Sequence, residues 1–152
     1  MIPEFVQATQ RYEDSYLPPG IYDATWPEVS AKFGFSYKRQ QLLPGLKAAC
    51  LALRHAGATH LYLDGSFVSD KKNPGDWDAC FPVQGVDPTL LDPVLLDYRN
   101  DRAAQKAKYF GETFPADASS GALGPPYLQF FQKNKKTGAQ KGIVRLDLGS
   151  VT

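Results

Sequence analysis

Apolar residues recur at helical spacing in one long segment of the first half of this chain. Separations of three and four residues place them on one helix face, and the residues concerned are Leu42, Leu43, Leu46, Ala49, Cys50 and Leu53. Ser36 is a suitable N-cap for this helix, and Gly57 follows it as a closing glycine. Pro44 is expected either to bend the early turns or to mark the true start of the helix.

Three shorter segments have the character of β-strands: residues 60–64, 77–81 and 143–148. In the second of them, alternation predicts one apolar face, made by Trp77, Ala79 and Phe81. In the third, Val144, Leu146 and Leu148 form the apolar set, so Asp147 is expected on the opposite face of the sheet. The pattern therefore predicts at least three strands.

Proline and glycine divide the remainder of the chain. Pro27 is expected to begin a short helix that ends at Gly34, and a basic, alanine-rich helix is expected from about residue 100 to 109, closed by Gly111. Residues 127–132 are expected to form a short aromatic helical turn.

Residues 1–34 are predicted to form an N-terminal arm, irregular over about its first thirty residues. Its aromatic residues are expected to anchor it on the body, and they are Tyr12, Tyr16, Tyr22 and Trp26. The alternative is that the arm binds a partner protein. All segments together predict a single α+β domain over residues 1–152, with a small mixed β-sheet flanked by helices.

Composition and charge exclude several classes of protein. The chain has 152 residues, with 17 Lys and Arg against 16 Asp and Glu, and the resulting net charge of +1 argues against a general binder of nucleic acid or of anionic membranes. Neither a secretory leader nor an apolar run long enough to span a membrane is recognisable. Cys50 and Cys80 lie far apart and are expected to be free buried thiols, as in a cytoplasmic protein.

A group of polar residues in mid-chain carries the strongest chemical signal. Gly65 and Ser66 follow the first predicted strand, and Asp76 and Asp78 stand two residues apart at the start of the second. Two carboxylates on one strand face repel each other, so the pair is best explained by divalent cations between them. A glycine–serine turn offers N–H groups and a hydroxyl to a phosphate.

This pattern resembles the polymerase-beta-like nucleotidyltransferases, especially their minimal bacterial members. The resemblance implies a nucleotidyltransferase-like fold in which Gly65 and Ser66 bind the triphosphate of a nucleotide, and Asp76 and Asp78 bind Mg²⁺ or Mn²⁺. It also implies a third carboxylate from a later strand, and we expect Asp147 there. If Asp147 is dispensable, the third carboxylate must be sought at Asp64 or Glu112.

Longer stretches resemble a small family of uncharacterised bacterial and prophage proteins of similar length. The stretches are YLDGSF, DPVLLD, RAAQKAKYFGETFPA and KGIVRLDL. That second resemblance implies a toxin–antitoxin or phage-defence setting, with a cognate toxin or antitoxin as partner, and it adds no established activity.

Basic residues are expected to offset the acidic charge, including that of Asp64 beside the presumed phosphate site. Arg102, Lys106 and Lys108 lie on one predicted helix and are candidate nucleotide-binding residues, although an ordinary solvated helix face would have the same sequence. A second basic cluster could contact an RNA or protein substrate or be an exposed turn, and it consists of Lys133, Lys135, Lys136 and Lys141.

The sequence leaves two main hypotheses for function. In the first, the chain is a metal-dependent enzyme that moves a nucleoside monophosphate from an NTP to a hydroxyl of a protein or an RNA. In the second, it is a catalytically weak module of the same fold that masks a partner protein. A pair of acid and base carboxylates acting on a sugar is a weaker third alternative, because the glycine–serine turn fits metal chemistry better.

Overall fold

The computed structural model describes residues 1–7 and 14–152, and within these ranges five strands form one mixed sheet. The strands are Ile21–Ala24 (β1), His60–Asp64 (β2), Trp77–Phe81 (β3), Gly111–Pro115 (β4) and Ile143–Asp147 (β5). Their order across the sheet is β1-β5-β2-β3-β4. The pairs β1–β5 and β3–β4 are parallel, and β2 is antiparallel to both of its neighbours. The predicted α+β class, with a mixed sheet and helices, is confirmed.

The α-helices of the described ranges are Trp26–Phe33 (α1), Tyr37–His55 (α2), Arg99–Tyr109 (α3) and Tyr127–Phe130 (α4). Ser36 caps α2 as predicted, because its hydroxyl accepts a hydrogen bond of 3.2 Å from the backbone N–H of Arg39. The helix continues through Pro44, so this proline does not mark its start.

Two strands were absent from the sequence analysis. β1 lies inside the arm that was expected to be irregular, and β4 follows α3 directly, where only a helix-closing glycine was predicted. β1 has four residues, and β4 begins with Gly111 and ends with Pro115. A strand of four residues, and a strand bounded by glycine and proline, give little periodic signal.

The two faces of the sheet are packed differently. The helix-covered face carries the main core, to which the strands contribute Leu61, Leu63, Trp77, Ala79, Phe81, Val144 and Leu146. A smaller apolar cluster lies on the other face and contains Cys80, Phe114, Ala116 and Phe131. The predicted alternation in β3 is confirmed, since Trp77 and Ala79 belong to the main core and Cys80 to the smaller cluster.

The N-terminal arm packs on the body through apolar residues. Leu17 is buried, and the Phe5 ring centroid lies 6.2 Å from that of Phe33 in α1. Tyr22 and Trp26 also contact the main core, whereas Tyr12 lies outside the described residues. None of the helices in the described ranges has the length and apolar character needed to cross a bilayer.

Candidate metal and phosphate site

Three carboxylates meet at one end of the sheet, on the face that carries the smaller apolar cluster. Asp76 precedes β3, Asp78 lies within it, and Glu112 is the register partner of Asp78 in β4. One oxygen from each of the three carboxylates lies within 4.8 Å of the other two. Carboxylate oxygens are the side-chain ligands that Mg²⁺ and Mn²⁺ prefer, so the donor set fits a divalent cation.

The charges of this cluster are poorly compensated when no cation is bound. Removal from water raises the pKa of Asp78 to about 8, with contributions from Asp76 and Glu112. Burial, followed by the charge of Glu112, also raises the pKa of Asp76. A cation among the three side chains would relieve this repulsion and displace their protons.

Arg102 and Lys106 reach this cluster, where they contact a carboxylate of the protein. Arg102 Nε donates a hydrogen bond of 2.7 Å to Glu112 Oε2, and Lys106 Nζ lies 3.6 Å from the same oxygen. Asp101 pairs with both cations. Arg102 and Lys106 therefore offset the negative charge of the cluster, and their contact with a nucleotide stays a prediction.

Arg102 ends an unusual stretch of backbone. Asn100, Asp101 and Arg102 all have left-handed conformations, with φ values of +50°, +56° and +58°. Each such residue costs about 1–2 kcal/mol in an L-amino-acid chain. This costly turn lies at the start of α3, and its last residue, Arg102, is the one that holds Glu112.

Lys108 does not reach the candidate site, which corrects its assignment as a nucleotide-binding residue. Its ammonium group pairs with Asp92, and the Tyr109 hydroxyl donates to the same carboxylate. Lys108 lies two residues from Lys106, and a separation of two residues turns a side chain to a different side of the helix.

Asp147 is also absent from the candidate site, although it lies on the expected face of the sheet. Its register partner is His60, at the start of β2, whereas Asp78 pairs with Asp64 at the other end of that strand. Four residues of strand separate the two positions by about 13 Å.

Asp147 instead accepts a hydrogen bond of 2.9 Å from the N–H of Gly149. Arg145, two residues earlier on the same face of the strand, bonds to Asp23 and not to Asp147.

The Gly65–Ser66 turn stands beside the carboxylate cluster, and Gly65 is required there for a structural reason. Its φ is +71°, and a Cβ atom at this position would collide with the carboxylate of Asp78. The sequence analysis assigned this glycine to the approach of a phosphate. The structure adds that the missing side chain makes room for Asp78.

Arg39, a fully buried residue of α2, holds this turn in place. Its guanidinium donates hydrogen bonds to the carbonyl oxygens of Phe33, Ser66, Phe67, Ser69 and Lys71, at 2.7–3.1 Å. The role of Arg39 was not predicted, although its position in the sequence carries a signal. Arg39 precedes Leu42 by three residues and so shares the buried face of the helix.

The turn and Asp78 open into a cavity of about 250 Å³ on the same face of the sheet. Its lining combines acidic, aromatic and basic residues, namely Tyr16, Asp64, Gly65, Ser66, Asp78, Phe130, Phe131, Lys133, Asn134, Lys135, Lys136 and Lys141. The second basic cluster of the sequence therefore faces the glycine–serine turn.

Asp64, at the end of β2, is the least compensated carboxylate of this region. It is 1% exposed, and neither of its side-chain oxygens has a hydrogen-bond partner within the described residues. Burial, followed by the charge of Asp78, holds its pKa well above the usual range of a carboxyl group. Lys141 and Lys135 are near enough to act in the opposite direction.

Comparison with known proteins gives a family and no activity. A family model described as a family of unknown function (DUF6932) matches residues 9–147. No match was found among curated proteins or among solved structures. The chemistry of the site must therefore be argued from its own side chains.

Proposed function

We propose that this chain, which belongs to the family of unknown function matched above, is a metal-dependent nucleotidyltransferase. It would move a nucleoside monophosphate from an NTP to a hydroxyl group of an RNA or a protein. The observation that carries the proposal is the cluster of Asp76, Asp78 and Glu112 beside the Gly65–Ser66 turn. Three convergent carboxylates next to a phosphate-sized cavity are what phosphoryl transfer from a nucleotide requires.

The donor nucleotide would place its phosphates in the cavity of about 250 Å³, where lysine ammonium groups and the turn surround them. Asp76, Asp78 and Glu112 would hold one or two Mg²⁺ ions, which supply Lewis-acid stabilisation of charge on the transferred phosphoryl group. Arg102 and Lys106 pair with Glu112 and so offset part of the negative charge of the cluster.

The acceptor hydroxyl would enter from a second cavity on the Asp76 side of the cluster. This cavity has a volume of about 620 Å³ and is lined by Lys38, Gln41, Leu42, Gly75, Asp76, Lys106 and Phe110. Because Asp76 faces this cavity and belongs to the carboxylate cluster, it is the carboxylate best placed to accept the hydroxyl proton.

The proposed reaction balances with these components alone. The acceptor oxygen forms a bond to the α-phosphorus, and the bond between the α-phosphorus and the bridging oxygen breaks. Pyrophosphate leaves with that electron pair, and the hydroxyl proton passes to an Asp76 oxygen and then to solvent. The products are the nucleotidylated acceptor, pyrophosphate and a proton.

The test is incubation of the purified chain with each of the four α-labelled NTPs, with Mg²⁺ or Mn²⁺, and with total RNA or a protein extract as acceptor. Label should enter one acceptor fraction, and Asp78→Asn should abolish the transfer. If no NTP labels any acceptor, the enzyme proposal is overturned, and a masking module of the same fold becomes the better explanation.

A further inference from the structure

The segment from Lys133 to Lys141 forms a compact hairpin next to the candidate site. Lys133 and Gln140 are bridge partners, and the N–H of Asn134 donates to the carbonyl of Ala139 at 2.8 Å. The N–H of Lys141 donates to the carbonyl of Gln132, also at 2.8 Å. These bonds tie both ends of the hairpin to the chain that frames the cavity.

Two lysines of the hairpin are directed by aromatic rings of the cavity wall. Lys141 Nζ lies 4.7 Å from the ring centroid of Tyr16, and Lys135 Nζ lies 5.6 Å from that of Phe130. A cation at such distances from an aromatic face is attracted to it. Lys135 and Lys141 therefore present two ammonium groups, each beside a different aromatic ring of one cavity.

Asp64 lines the same cavity as these cations. Its carboxyl group has no hydrogen-bond partner within the described residues, although nearly all its surface is removed from water. Burial without a partner disfavours the charged form of a carboxyl group, so Asp64 is not the counter-charge of the two lysines. Phosphate oxygens bound in the cavity would supply that counter-charge.

We propose that the Lys133–Lys141 hairpin is a clamp for a polyphosphate chain, in which Lys135 and Lys141 bind phosphate oxygens over the Gly65–Ser66 turn. The proposal rests on the proposed function for the identity of the ligand as the triphosphate of an NTP. The backbone phosphates of an RNA have the same chemistry.

The experiment is calorimetric titration of the full chain with inorganic tripolyphosphate, once with EDTA and once with Mg²⁺. The variants are Lys135→Met and Lys141→Met. Lys47→Met in α2 is the control, because it removes the same charge outside the cavity lining. Circular dichroism checks that each variant is folded, and each of the two lysine variants tests the clamp if the other does not fold.

We expect Lys135→Met and Lys141→Met to raise the dissociation constant about tenfold or more, as the loss of a charge-assisted hydrogen bond does. Lys47→Met should leave it unchanged. Wild-type affinity in both lysine variants overturns the clamp, as does absence of binding by the wild type. A loss seen only with Mg²⁺ also overturns it, because the lysines would then act through the metal site.

A competition experiment distinguishes the two sources of phosphate. An NTP should displace tripolyphosphate, whereas a single-stranded RNA with a 5′-hydroxyl should not. Displacement by the RNA alone would overturn the assignment to the donor nucleotide. Lysine-dependent tripolyphosphate binding without any transfer activity would leave the clamp standing and remove the transferase. Transfer with an unchanged KM for the NTP in both lysine variants would remove the clamp and leave the transferase standing.

Discussion

Glu112 lies directly beside Asp78 in the parallel ladder between β3 and β4, and an oxygen of one carboxyl group lies within 4.8 Å of an oxygen of the other. Two carboxylates this close repel each other, and a cation between them relieves the repulsion. This contact, on adjacent strands, makes Glu112 the third carboxylate of the candidate site.

Glu112→Gln should therefore lower nucleotide transfer about a hundredfold or more, the scale on which loss of an electrostatic group at the transition state is felt. Asp147→Asn is the matched control. It also removes a carboxylate from the same sheet face, but Asp147 lies about 13 Å along the sheet from the cluster. The transfer rate of Asp147→Asn should equal that of the wild type in the labelled-NTP assay. A loss in Asp147→Asn with full activity in Glu112→Gln would reverse the assignment.

The metal-free protein should lose stability as the pH rises from about 4 to about 8. Because the pKa of Asp78 rises from 3.8 to about 8 on folding, the folded chain retains a proton that the unfolded chain has released in this range. The proton on Asp78 makes its full contribution to the free energy of unfolding below pH 3.8, and this contribution is lost as the pH passes through 8. Asp64 acts in the same direction, since its pKa is also raised.

Thermal melts with EDTA at several pH values test this dependence. Asp78→Asn should flatten the curve, and Mg²⁺ should raise the wild-type Tm most at the high-pH end, where the carboxylates are ionised. A Tm that rises steadily from pH 4 to pH 8 in the metal-free wild type would contradict the raised pKa values.

Gly65→Ala should disturb the metal site before it disturbs phosphate binding. The new methyl group would collide with the Asp78 carboxylate, and alanine would also have to adopt a φ of +71°. We expect a lower Tm and weaker Mn²⁺ binding by calorimetry. Gly75→Ala is the control for stability, because its Cβ would meet open space. Equal Tm and equal Mn²⁺ affinity in wild type and Gly65→Ala would show that Asp78 can move aside at no cost.

Arg39→Lys should destabilise the protein by about 2–4 kcal/mol, because a lysine cannot donate to five carbonyl oxygens in the geometry of a guanidinium. Urea denaturation measures this change. Lys47→Met on the same helix should stay within about 0.5 kcal/mol of the wild type. If Arg39→Lys has wild-type stability, the five hydrogen bonds do not hold the turn.

The sequence was sufficient to predict features that lie within a single helix or strand. The face of α2, its Ser36 cap and the alternation of β3 all follow from local spacing, and each is present in the structure. The pair Asp76 and Asp78 was predictable for the same reason, because two residues on one strand face must lie near each other.

The prediction for Asp147 was wrong because it lacked the order of the strands and their register. Asp147 satisfied the rule for facing the correct side of the sheet, but the alternation of one strand does not determine which end of it meets Asp78. The antiparallel register of β2 with β5 places Asp147 beside His60, and the parallel register of β3 with β4 brings Glu112 to Asp78. Register is a long-range property that local periodicity does not contain.

The five hydrogen bonds of Arg39 have a consequence for how this protein can change. All of them end on main-chain oxygens, and every peptide unit carries such an oxygen whatever its side chain. Replacing an exposed residue of the segment, such as Lys71, leaves the acceptors where they are. Inserting or deleting one residue between Ser66 and Lys71 would move them out of reach. This loop should accept changes in its composition and reject changes in its length.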